Sequence, residues 1–448
     1  MGLDVRERFP VTETTLTSPV DGAERPLVYL DHAASTHAPT PVLDAHKRFL
    51  SEAYANVHRG AHHLSEVSTE AYEDVRWKCK AFVGARPDQD VLFTPNTTAA
   101  LDLASHLVAD EPGYTLVTTM EHHSNDLPHR EKGATAHVGV TDDGRLDLAD
   151  LEDKLATYKT KLVAVTMASN VTGIRPPLAE ITDLAHSYGA KVLVDGAQAL
   201  AHLPVDLRGI GDTGGPDMFA AAGHKAYAPM GAAFLVAPRE LVNDADPYQP
   251  GGGTVSLVGT DDVVWTKGTD RHQGGTPNVP GIVAMGAALD FLRGVGMQAV
   301  RDHERELLTR MLDGLDAIPE VDVLGSAPAR DRVGAVGFTI DGVHHRLASQ
   351  IFDNEHGVAT RNGWFCAHPY IVRLLGLEDR VDELRQRVHD GGSAREPGFP
   401  GAVRASLGIY NTREEIDHFL DAVRQVAGRD WQGSYAYTEG DNWRPART

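Results

Sequence analysis

The architecture of this chain is set by Lys191-Val192-Leu193-Val194-Asp195-Gly196-Ala197-Gln198, a β-branched apolar run that ends on an acid. A run of this kind, apolar without alternation, predicts a strand buried on both faces. Residues 91–94, 114–119, 161–167, 218–221 and 232–237 read the same way. Helix-period segments at 41–51, 68–83 and 178–187 accompany them, the last filling the gap between two of the strands. Strands alternating with helices at this spacing predict an α/β architecture with crossover units and a mostly parallel sheet.

Beyond about residue 280 the pattern changes. Helices are expected at 283–294 and 300–315, strands at 321–324 and 333–340, and further helices at 347–354 and 413–426. This order suggests a smaller α+β domain at the C-terminal end. The predicted division is therefore an N-terminal segment 1–26 packing on the small domain, a large domain 27–290, a small domain 291–428 and a tail 429–448. Residues 391–400, rich in Gly, Pro and charge, read as a loop. The tail has no clear period and is expected to be extended or partly disordered.

Composition narrows the function classes. The chain has 448 residues, with 42 Lys plus Arg against 63 Asp plus Glu, a formal charge of −21. Such a balance argues against nucleic acid or an anionic membrane as partner. No apolar run approaches the roughly 20 residues of a membrane helix, and the first residues lack the apolar core of a signal peptide. A cytoplasmic protein is expected. Its two cysteines, Cys79 and Cys366, exclude a disulfide framework and matter instead as thiols. About ten of its 42 basic residues are lysine.

Four segments at strand ends could carry chemistry. Lys225, in Gly223-His224-Lys225 after the run 218–221, stands where a lysine can condense with a carbonyl. Asp195 lies on the carboxyl edge, where open α/β sheets bind ligands and where a carboxylate can pair with a pyridinium nitrogen. Asn96-Thr97-Thr98 opens a helix-like segment, and its hydroxyls and N–H groups suit a phosphate. His122 and His123 follow the strand ending near 119, and a histidine there could stack on a ring or move protons. Each also has a plain alternative: a solvated lysine, a helix-capping Asp, an ordinary N-cap, an incidental pair among 22 histidines.

In order along the chain, these segments join a longer set of strings. They are Tyr29-Leu30-Asp31-His32-Ala33-Ala34-Ser35, Asn56-Val57-His58-Arg59-Gly60, Glu121-His122-His123 and Ser169-Asn170-Val171. Later ones are Val194-Asp195-Gly196-Ala197-Gln198, Gly223-His224-Lys225, Gly251-Gly252-Gly253, Trp265-Thr266-Lys267 and Gly275-Thr276-Pro277-Asn278. Arg361-Asn362-Gly363 before Cys366, and Arg404-Ala405-Ser406-Leu407 before Tyr410-Asn411-Thr412, close the series. Over residues 27–426 the chain resembles the class V aminotransferases of the pyridoxal-phosphate fold type I superfamily. It is most similar to the cysteine desulfurase and selenocysteine lyase group.

The resemblance implies pyridoxal 5'-phosphate as cofactor, a large domain with a mostly parallel sheet and a smaller α+β domain. It implies that Lys225 bonds the cofactor and moves the substrate α-proton, that Asp195 pairs with the pyridine nitrogen, and that Gln198 approaches the ring hydroxyl. His122 would stack on the ring. Thr97, Thr98 and His224 would hold the phosphate, with Thr276 contributed by a partner subunit in a homodimer. Asn170 and Arg404 would bind the α-carboxylate of an amino-acid substrate. Cys366 would be the nucleophile that takes sulfur from L-cysteine (or selenium from selenocysteine) as a persulfide and leaves L-alanine. A protein that accepts the sulfur is allowed for, and no metal is implied. Cys79, at helical spacing, reads as structural.

Four features depart from that group. Ala222 replaces a serine that would bind phosphate, with Thr97 or backbone expected to compensate, and Ala99 replaces an acid. Trp364 and Phe365 precede Cys366 where polar residues are usual, so less polar surroundings are expected for the thiol. The stretch from Cys366 to Arg404 is also longer, with 374–377 and a charged helix-like run at 378–388. Two other readings stay open on these grounds. One is a C–S lyase, epimerase or aminotransferase in which Cys366 carries no sulfur; the other is a noncatalytic scaffold, against which Lys225 and Asp195 argue.

Overall fold

The computed structural model describes residues 3–393, 396–438 and 442–446. Seven strands form the central sheet: β1 (Gln89–Thr94), β2 (Tyr114–Thr118), β3 (Thr135–Val138), β4 (Thr160–Thr166), β5 (Lys191–Asp195), β6 (Met218–Ala222) and β7 (Ala233–Pro238). Their spatial order is β1-β7-β6-β5-β4-β2-β3. β7 runs antiparallel to both β1 and β6, and the other pairs are parallel.

The unbroken apolar runs are explained by two cores. Val192 and Val194 of β5 enter the main cluster with Val163, Phe219 and Phe234, whereas Leu193 points to the other face with Leu162, Met218 and Leu235. On that other face lies α1 (Thr97–Leu107), through Ala100, Leu101 and Ala104. Because side chains alternate across a strand, a strand covered on both faces must be apolar throughout.

A second cluster joins Val28 and Leu30 to residues between Leu307 and Ala427. Its sheet has β8 (Val321–Val323), β9 (Ala335–Ile340), β10 (Arg361–Gly363) and β11 (Ala402–Ser406), ordered β8-β9-β11-β10. Helix α2 (Met297–Asp316), helix α3 (His345–His356) and helix α4 (Arg413–Ala427) pack on it through Leu308, Met311, Phe352 and Phe419. A capping box fixes the start of α4: Thr412 accepts from the Glu415 N–H, while the Glu415 carboxylate accepts from Thr412 N–H.

The N-terminal segment, expected on the small domain, touches both parts. Phe9 is fully buried against Tyr227 and Phe291 on one side and Tyr410 on the other, and Arg6 pairs with Glu415. In the tail, expected to be extended or partly disordered, Tyr435–Thr438 pairs antiparallel with Asn442–Pro445. Residues 439–441 and 447–448 of that tail lie outside the described residues. Residues 381–389 of the long segment after Cys366 form a helix, and Trp364 donates its indole N–H to Pro400 O at 2.6 Å, its ring tilted 43° against Phe399 with centres 5.3 Å apart. Among the described residues no single helix is long and apolar enough to cross a membrane.

Candidate active site

Five segments leave the carboxyl edge of the central sheet in turn: Thr97 after β1, His122 after β2, Asn170 after β4, Asp195 at the end of β5 and Lys225 after β6. Parallel pairing of β2, β4, β5 and β6 is what brings their ends to one edge. There they line a cavity of about 370 Å3 together with Thr98, Gln198, His224, Cys366 and Arg404. The expected site residues thus converge, with one exception. Thr276 lines a separate recess of about 250 Å3, with His58, Arg59, Gly252 and Asp270. A larger groove of about 1550 Å3 flanks α2 and holds none of these residues. Several of its arginines are tied to carboxylates, as in Arg310–Asp417 and Arg413–Glu306.

The charges in the cavity are tuned by burial. Burial pushes the Lys225 ammonium down to about 8, against the opposing pull of Asp195. Burial likewise raises the Asp195 carboxyl, whose Oδ1 accepts from Ala197 N–H at 2.9 Å. His122 is held down to about 3 by burial and by the nearby Lys225, so its ring is neutral near pH 7. Its Nδ1 accepts from the Ser124 N–H at 3.1 Å, which assigns the ring proton to Nε2. The Ser124 hydroxyl lies 2.7 Å from that of Thr98. Gln198 donates to Ala33 O at 2.8 Å, and the His224 carbonyl accepts from Thr36.

At the opposite wall the buried Arg404 guanidinium donates to Asn170 O and to Asp31 Oδ1, each at 2.9 Å. Its face lies 5.1 Å from the centre of the Phe365 ring. Phe365 and Cys366 form the middle of a tight turn closed by Ala367 N–H on Trp364 O at 3.0 Å. Both have left-handed backbones, φ 52° and 55°. Non-glycine residues in such a turn cost about 1–3 kcal/mol each, and such strain persists where surrounding contacts over-determine it. Here Asn170 donates to Phe365 O at 2.8 Å, and His123 N–H donates to Cys366 O at 2.7 Å. The less polar surroundings expected for Cys366 are not found: Trp364 is held by residues 399–400, Phe365 turns under Arg404, and Cys366 itself is exposed.

Several buried polar atoms in the cavity wall have no partner: Thr97 Oγ1, Asn170 Oδ1 and Arg404 Nε. An orphan of this kind costs free energy unless a ligand or water completes it. A phosphate at the N-terminus of α1 would satisfy Thr97, and a carboxylate would satisfy Arg404. A buried amine facing a buried carboxylate, with an anion site beside it, fits a ring that carries an aldehyde, a basic nitrogen and a phosphate. Ala222 offers no hydroxyl, whereas Thr97 and Ser124 both line the cavity.

Two residues with clear contacts were given no role from the sequence. Glu121 is buried and accepts from Thr166 N–H at 2.8 Å, from Asn125 Nδ2 at 2.7 Å and from the Thr118 hydroxyl. Asp31 bridges Arg404 and Arg361, the latter at 3.7 Å. The usable signal is an acid close behind an apolar run: Asp31 directly after Leu27-Val28-Tyr29-Leu30, and Glu121 two residues past the run 114–119.

Comparison with known proteins follows the same lines. The family model described as "Aminotransferase class-V" matches residues 28–419. A cysteine desulfurase of Cronobacter sakazakii is 35% identical over 432 residues, covering 94% of this chain and 97% of its own. The apo structure of a cysteine desulfurase from Thermococcus onnurineus NA1 superposes with a TM-score of 0.81 at 30% identity, over 95% of this chain and 98% of that one. The S-sulfonic acid form of a cysteine desulfurase from Escherichia coli gives 0.76 at 28% identity, again over 95% and 98%.

Proposed function

The chain belongs to the class-V aminotransferase family, a family of pyridoxal-phosphate enzymes, and from that premise we propose that it is a cysteine desulfurase. The reading rests on one observation above the others: an exposed thiol, Cys366, sits on a strained turn in the wall of the cavity that holds Lys225. The same premise makes it an enzyme of fold type I. We place it in the cytoplasm and divide it into a large domain, 27–290, and a small one, 291–428.

Lys225 would hold pyridoxal 5'-phosphate by its aldehyde, Asp195 by the ring nitrogen, Gln198 by the ring hydroxyl and His122 by its face. Thr97, Thr98 and His224 would hold the phosphate, completed by Thr276 from a second copy of the chain. Bound there, the cofactor is an electron sink that makes the substrate Cα–H acidic. The chain's own groups do the rest. Arg404 offers its free Nε–H to the substrate carboxylate, and Asn170 lies beside it. The Lys225 amine, held down to about 8, is unprotonated in a useful fraction near neutral pH and moves the Cα proton at Nζ. Cys366 must first shed its thiol proton. Its Sγ then attacks the substrate sulfur: an S–S bond forms, the Cβ–S bond breaks, and the electron pair stays with the carbon skeleton. Protonation of that carbon yields L-alanine, and Cys366 keeps a persulfide. No outside oxidant is required, because the sulfur is oxidised as the carbon is reduced. An exposed persulfide can then be passed to a protein acceptor.

Exchange of Cys366 for alanine tests this directly. Cys366→Ala is expected to bind cofactor as the parent does, by its visible absorbance, and to release no alanine from L-cysteine. Alanine release at the parent rate would remove the persulfide role and favour a lyase or aminotransferase.

A further inference from the structure

The turn that carries Cys366 has an attachment that the proposed chemistry does not use. His123 meets it twice. Its main-chain N–H donates to Cys366 O at 2.7 Å, and its ring Nε2 accepts from His368 N–H at 3.2 Å. The two bonds fall on either side of Ala367 and so span the C-terminal half of the turn. The imidazole also sits edge-on to the His368 ring, centres 4.3 Å apart, and His368 in turn lies edge-on to Trp364 at 4.8 Å. His123 directly follows His122, which lines the cavity. The segment leaving β2 therefore touches both the cofactor cavity and the nucleophile's backbone.

Such bonding answers a need set by the backbone. Two consecutive left-handed residues, neither of them glycine, relax toward ordinary conformations unless contacts from outside the turn resist. A ring nitrogen can resist only while it accepts, which requires the neutral imidazole. Burial keeps His123 on the neutral side of its ordinary range.

We propose that His123 is a positioning residue for Cys366, its main-chain N–H and ring Nε2 together holding the turn that aims the thiol into the cavity. The inference rests on the desulfurase reading. It asks of the side chain one thing, an acceptor at Nε2, so two variants divide the possibilities. His123→Phe keeps the ring and its edge contact but has no acceptor. His123→Gln loses the ring but can place Oε1 as the acceptor.

The measurement is a single turnover of cofactor-loaded protein with L-cysteine, reading sulfur on Cys366 by mass spectrometry. Exchange of the substrate Cα–H with solvent deuterium is followed in parallel, since that step does not involve Cys366. Small displacements of a reacting group slow reactions by roughly 10- to 100-fold. His123→Phe is expected to slow persulfide formation by about that factor and leave Cα exchange unchanged, while His123→Gln stays near the parent. Amide hydrogen exchange over residues 364–368, measured without cofactor or substrate, should rise in the phenylalanine variant and not in the glutamine one. His123→Leu replaces the phenylalanine variant if that one does not accumulate. Parent-like persulfide formation in His123→Phe, a glutamine variant as slow as it, or an equal loss of Cα exchange would overturn the positioning role. A parent enzyme that exchanges Cα–H but places no sulfur on Cys366 would instead overturn the desulfurase reading, and the inference with it.

Discussion

Glu121 shows how a single residue can matter without touching the cavity. Burial pushes its carboxyl up to about 8, with Asp195 adding to the rise, against the hydrogen bonds from Thr118, Asn125 and Thr166. The folded state therefore favours the protonated acid relative to the unfolded chain, where the group titrates near 4.5. The sign follows: this contribution is fully present below pH 4.5 and is lost as pH rises through about 8. Asn125 Oδ1 is buried without a partner, and a turned amide would place it to accept the Glu121 proton. Glu121→Gln imitates the protonated acid. Its melting temperature is expected to fall less than the parent's between pH 5 and pH 9, as thermal melts at each pH would reveal; parallel curves would contradict this. Lys225 and Asp195 were legible in the sequence because each ends an apolar run and so must emerge at a sheet edge. Glu121 and Asp31 end or follow runs as well. Their partners, Thr166 and Arg404, lie far along the chain, and local pattern carries no information about them.

At the scale of elements, legibility followed burial. Strands covered on both faces were found within a residue or two, as β5 was at 191–195. The edge strand β3, Thr135–Val138, was missed because it carries Thr and His and only Val138 is buried. β11 was missed for the opposite reason: every residue is buried, yet Arg404 sits in its middle and breaks the apolar signal. The helix Leu148–Thr157 was missed too, its charged face outweighing Leu151 and Leu155. Phe9 illustrates an element whose importance no period announces. A short 3-10 turn delivers its ring between Tyr227, Phe291 and Tyr410, so one side chain fastens the start of the chain into the main hydrophobic cluster. Phe9→Ala should cost about 3–5 kcal/mol, read as a lower midpoint in urea. An unchanged midpoint would mean that the segment detaches without consequence.

For the molecule as a whole, the separate placement of Thr276 is the informative fact. Within one chain it lines a recess apart from Lys225, so its proposed phosphate contact needs a second copy. That arrangement is testable by mixing. Lys225→Ala and Thr276→Ala subunits are each impaired, but a hybrid pair contains one site with Lys225 from one chain and Thr276 from the other. Cofactor affinity, titrated after refolding the two together, should exceed the average of the separate variants. A mixture that gives only that average would place Thr276 in service of its own subunit. The charge of −21 was visible from composition, and the fold shows part of its management: arginines such as Arg310, Arg373 and Arg413 each clasp acids on the surface.

The two cysteines lead somewhere further. Cys79 is fully buried in the helix His63–Phe82, its thiol pushed far up by burial, while Cys366 is open to solvent. One sulfur thus answers to the medium and the other only to the loss of the core. The chain carries an internal gauge with two marks, the first reporting the state of its working surface and the second the integrity of its interior.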